Sequence, residues 1–189
     1  ISFIDFQGNP FTISDSTTDA SQVVFDKTKP TLDPIIITSD NSCSAGTIAK
    51  AENIVTINFT SLEPLLSTFS VVMSDTVSVI DLGSSQYKID HQLTAEDVEG
   101  DVTFLIRVTD LSGNISEDII TTTDGSSVDL DLTLPVLDYV HIESNNSYSS
   151  IAVLGDIVTL TFEPAEPLSA TTVIMSGTSV TATENNGVY

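Results

Sequence analysis

An internal repeat constrains this chain more than any other feature. Asp26-Lys27-Thr28-Lys29-Pro30 returns as Asp131-Leu132-Thr133-Leu134-Pro135, a spacing of 131 − 26 = 105 residues. Laid over 106–135 without a gap, residues 1–30 match at Ile1/Ile106, Asp5/Asp110, Gly8-Asn9/Gly113-Asn114 and Thr17-Thr18-Asp19/Thr122-Thr123-Asp124. Past the prolines, Leu32-Asp33 matches Leu137-Asp138, Ile37 matches Ile142, and Asn41-Ser42 matches Asn146-Ser147. After a short slip, Ile54-Val55-Thr56, Phe59 and Glu63-Pro64-Leu65 fall on Ile157-Val158-Thr159, Phe162 and Glu166-Pro167-Leu168, and Tyr87 falls on Tyr189. A register kept this long marks a tandem array, and that has to be recognised before any fold is argued.

The phase of the repeat sets the expected domains. With Asp-x-Thr-x-Pro as the junction, residues 1–30 are the end of one unit, 31–135 a complete unit and 136–189 the front half of a third. A unit of this length suits one independently folding domain. The chain is therefore expected to start and stop inside units, as a segment of something longer.

Period-two patterning runs through the complete unit. Ile35 and Ile37 open it; Val55, Ile57 and Phe59 alternate with Thr56 and Asn58; Phe69, Val71 and Met73 form a third set. Tyr87, Ile89, His91 and Leu93 alternate with Lys88, Asp90 and Gln92, and Val102, Phe104, Ile106 and Val108 with Thr103 and Arg107. After Ser112-Gly113-Asn114, where Gly113 or Asn114 takes positive φ, residues 115–123 read as the last full strand. Such alternation puts one strand face on a core and the other in water. About seven strands with turn clusters between them and no credible helix predict an all-β fold, a two-sheet antiparallel sandwich. Pro64 and Pro167 end the strands they follow, and Pro135 holds its neighbour extended, so the junction is expected to be short and stiff.

Composition narrows the partners. Five basic against 27 acidic residues give a net charge of −22, which excludes nucleic acid and disfavours anionic membrane surfaces. No apolar run approaches the length of a spanning helix. Hydrophobic residues make up 40%, enough for a core. Cys43 stands alone, so no disulfide forms within the segment; its counterpart is Tyr148, and it reads as a partly buried, incidental thiol.

The Asp-x-Thr-x-Pro junction, the Gly155-Asp156-Ile157-Val158-Thr159-Leu160-Thr161-Phe162 stretch, the Glu-Pro-Leu element and the Asp-x-x-Gly-Asn turn resemble the tandem Ig-like repeats of large bacterial and archaeal surface proteins. Giant adhesins, surface-layer proteins and extracellular filaments carry them. The resemblance implies Ig-like sandwiches strung as beads on a rod, an extracellular or cell-surface location, and neighbouring modules and other copies of the same protein as partners, with surface glycans as candidates.

No catalytic set presents itself. His91 and His141 lie in strand patterns, neither is repeated, and no nucleophile–base arrangement is visible. His141 reads as a surface strand residue and His91 as a strand-face residue near an edge. Calcium is a sharper idea, because a hard cation takes several oxygens and the repeated acids cluster near unit ends. These are Asp26 and Asp131 at the junction, Asp5 and Asp110 with Asn9 and Asn114 in one turn, and Glu63 and Glu166 before proline; the complete unit adds Asp97, Glu99 and Asp101. The resemblance implies that the junction Asp and the Glu before proline are ligands. The alternative is that these acids only accept backbone N–H bonds in their turns. Glycosylation triplets begin at Asn58, Asn114 and Asn145. The expected function is a non-catalytic structural array; a module binding a carbohydrate or protein receptor, or an accessory region of a secreted hydrolase, are the alternatives. The aromatics are expected mostly in core positions, leaving no binding platform.

Overall fold

The computed structural model describes residues 3–10, 17 and 19–189. Among them there is no helix; the strands are β1 (Leu32–Ser39), β2 (Ile48–Ala49), β3 (Ile54–Ser61), β4 (Ser70–Val72), β5 (Val79–Gly83), β6 (Gln86–Gln92), β7 (Gly100–Asp101), β8 (Leu105–Arg107), β9 (Asp129–Leu130), β10 (Leu137–Ser144), β11 (Val158–Pro164), β12 (Val173–Met175) and β13 (Thr178–Val180). The chain is all-β, as its patterning predicts, and its architecture is of the sandwich type.

The main sheet runs β1-β3-β6-β5 and is antiparallel throughout. Its register aligns Ile37, Ile57, Ile89 and Val79 in one row across four strands. Val55, Ile57 and Phe59 alternate with Thr56 and Asn58 along β3, and the first three are almost wholly buried. The period-two spacing puts them on one face, and each fully buried aliphatic or aromatic side chain there contributes about 1.5–3 kcal/mol. The β2-β9-β7 and β4-β8 sheets supply Ala49, Leu130, Val71 and Ile106 to the same core, which spans Leu32 to Leu130. Phe59 stacks on Tyr87 at 5.3 Å between ring centroids, and burial pushes the Tyr87 hydroxyl's pKa up.

Two strand expectations need correction. Residues 102–108 keep the predicted alternation, with Phe104, Ile106 and Val108 buried, but the ladder forms only over β8. Residues 115–123 form no continuous strand; they pair through the isolated bridges Thr109–Ile115 and Ile106–Ile119, and Thr123 N–H donates to Ile35 O at 3.0 Å. The reason lies at Ser116, which is buried: its Oγ accepts from Val108 N–H at 3.1 Å, a side-chain bond where a ladder bond would run. β2, β5, β7 and β9 lie outside the predicted set. Cys43 is exposed, not partly buried.

The last unit repeats the first hairpin of the complete one over most of its register. β10 pairs with β11 as β1 pairs with β3, Val140 opposite Phe162 and Ile142 opposite Leu160, where Ile35 meets Phe59 and Ile37 meets Ile57. Ala165 N–H donates to Val136 O as Leu62 N–H donates to Thr31 O. Ile157 N–H donates to Asn145 Oδ1 as Ile54 N–H donates to Asp40 Oδ1. Phe162 and Tyr189 stack like Phe59 and Tyr87. The difference is burial: Val140 and Ile142 are 55% and 61% exposed, against 3% and 2% for Ile35 and Ile37. Aromatics follow the same division. Phe59, Tyr87, Phe104 and Phe162 are buried, whereas Phe3, Phe6, Phe25, Tyr139 and Tyr148 are exposed, so the expectation of mostly core aromatics does not hold.

Candidate metal centre at the unit junction

Three of the acids singled out by the repeat meet in space. Asp26, Glu63 and Asp110 each offer one carboxylate oxygen, and the three oxygens lie within 4.8 Å of one another. They come from three separate stretches, and each is held by its own local chemistry.

Asp110 is fixed by its turn. Its Oδ1 accepts from Ser112 N–H and Asn114 N–H, both at 2.8 Å, and its Oδ2 from Asn114 Nδ2 at 2.8 Å. Gly113 closes the turn at φ 91°, a left-handed value that suits glycine. Burial pushes the Asp110 carboxyl's pKa up, but the Asn114 side chain and the Asn114, Ser112 and Gly113 backbone amides outweigh it and leave the pKa below the ordinary value. The group is therefore a carboxylate at neutral pH although only 1% exposed. Residues 5–9 build the same turn: Asp5 accepts from Gln7 N–H, Asn9 N–H and Asn9 Nδ2 in the same pattern.

Glu63 is carried to Asp110 by the chain leaving β3. Ser61, buried, donates from Oγ to Glu63 O at 2.5 Å, and Leu66 N–H donates to Thr109 O at 2.8 Å. The bridge between Leu65 and Asp110 completes the approach. The Glu63 carboxylate itself has no hydrogen-bond partner among the described residues. Asp26 arrives from the segment before β1. Its Oδ1 accepts from Thr28 N–H at 2.8 Å, the turn role open to it from sequence, and its Oδ2 accepts from Ser112 Oγ at 3.2 Å. Lys29 pairs with Glu117 and buried Pro30 anchors the entry to β1.

None of the three carboxylates has a cationic partner among the described residues. Lys29 is paired with Glu117, Lys88 with Asp90 and Arg107 with Asp118; Lys27 lies over the Phe25 ring, and Lys50 lines a different cavity. No protein-family model, curated protein or solved structure matches the chain. The donor set must speak for itself. Oxygens bound to one calcium at about 2.3–2.6 Å lie no more than about 5 Å apart, and the observed spacing meets that limit. The three carboxylates are hard oxygen donors.

The other predicted ligands are placed differently. Asp131 and Glu166, the counterparts of Asp26 and Glu63, line one cavity of about 630 Å³ together with Lys50, Glu52 and Cys43. Asp131 Oδ1 accepts from Thr133 N–H as Asp26 does from Thr28. Asn114 spends its side-chain amide on Asp110 and stands behind the site as a support. Asp97 lies apart: its oxygens accept from Ser74 Oγ and from the Thr94 N–H and hydroxyl, and His91 Nε2 stands 3.7 Å away. Asp101 sits exposed on β7, and Asp5 is exposed in its turn, so neither joins the cluster. Ser61 and Ser112, which position Glu63 and Asp26, escaped sequence reasoning because their counterparts are Pro164 and Gln7 and the repeat therefore hides them.

His91 is mostly buried at the end of β6, and among the described residues its Nε2 has no hydrogen-bond partner. The β5 pairing stops at Ile89, so His91 has a strand neighbour on one side only, Val55, which agrees with its reading as a residue near an edge. His141 is half-exposed on β10, as expected, beside Glu143. Of the glycosylation triplets, Asn58 is exposed on β3, and Asn145 is exposed with its Oδ1 engaged by Ile157 N–H. Asn114 has its amide nitrogen committed to Asp110.

Proposed function

We propose that this chain is a non-catalytic, extracellular structural segment, in which Ig-like sandwiches in series form a stalk, surface layer or filament and a calcium ion stiffens the unit junction. One observation carries the reading: Asp26, contributed from before the complete unit, meets Glu63 and Asp110 from within it. A cation held there by all three would tie the entering segment to the sandwich and offset the mutual repulsion of the carboxylates. Asp26, Glu63 and Asp110 would hold the ion, with water and backbone carbonyls completing its shell, and the ion would supply charge neutralisation and cross-linking. Asn114 and Ser112 keep Asp110 and Asp26 in place. At the next junction Asp131 makes the same turn bond to Thr133 N–H as Asp26 makes to Thr28 N–H, and Asp131 and Glu166 line one cavity.

Calcium titration calorimetry tests it. Saturable binding that weakens in both Asp26→Asn and Glu63→Gln is expected. Heats that are absent, or unchanged in these variants, would remove the ion from the junction and leave the acids as turn formers only.

A further inference from the structure

We draw no further inference here: the strongest candidate, the open apolar face of the β10–β11 hairpin built by Val140, Ile142 and Val158, carries nothing because nothing in the structure shows what covers it.

Discussion

Asp110 and Asp5 make the same turn with the same bonds, yet among the described residues only Asp110 has two further carboxylates beside it. Turn chemistry is therefore a property of the five-residue motif, and the candidate site is added by the surroundings. Glu63 is the member with no structural duty for its carboxylate, so it separates the two roles. Glu63→Gln is expected to raise the thermal midpoint in chelator slightly, by relieving carboxylate repulsion, and to shrink the further rise on adding calcium. At free calcium about 100-fold above its Kd, a bound ion adds about 2.7 kcal/mol, well within reach of a melting experiment; a calcium-dependent rise that survives the substitution undiminished would contradict the assignment. Acid stability belongs to other residues. Burial pushes the Asp90 carboxyl up, but bonds from Lys88 and Thr56 and the Lys88 charge hold its pKa below the ordinary 3.8; the Asp118 carboxyl is held down by the bidentate Arg107. A group with a depressed folded-state pKa stabilises the fold above its unfolded value and loses that contribution as pH falls through the folded value. Melting midpoints should thus lose the contribution of these two groups only below about pH 4, and Asp118→Asn should blunt that loss.

Strands announce themselves in proportion to how much of their pattern they carry alone. β1, β3 and β6 have clear alternation and were legible; β2, β7 and β9 are two residues each, and Gly100, Asp101 and Asp129 are poor strand formers. Partners across the core create those short strands, including the parallel match of β2 with β9. The equivalent hairpins offer a direct test of packing against pattern. Ile57→Ala, in the centre of β3 and 0% exposed, should cost about 2–5 kcal/mol in urea unfolding. Ile142→Ala carries the same patterning on β10 but is 61% exposed, and should stay within about 0.5 kcal/mol. Equal losses would mean that β10 packs against something the exposure values do not register.

On the scale of the whole molecule, a net charge of −22 makes every acidic cluster compete for the same counterions. A solvated acidic surface responds to ionic strength through screening, with a Debye length of about 8 Å at physiological salt. A built site responds to the identity of the ion. Small-angle scattering should show an extended rod in calcium whose longest dimension becomes more broadly distributed in chelator, with added sodium chloride failing to restore it. A compact globule, or freely jointed units under all conditions, would rule out the stiffened array. Asp26→Asn should reproduce the chelator profile in the presence of calcium.

The residues alone carried the repeat, the all-β class, the alternation of the central strands and the Asp-x-x-Gly-Asn turn. All of these rest on interactions between near neighbours or on period-two spacing, which a linear sequence displays directly. Tertiary structure decided that Asp26, Glu63 and Asp110 converge, although 63 − 26 = 37 and 110 − 63 = 47 residues separate them. It also decided that Asp97 bonds Thr94 and Ser74, that His91 is mostly buried and that Cys43 is exposed. Those outcomes depend on which segments cross the core beside one another, and the Leu66–Thr109 bond and the Leu65–Asp110 bridge that bring the acids together exist only once the sandwich has closed.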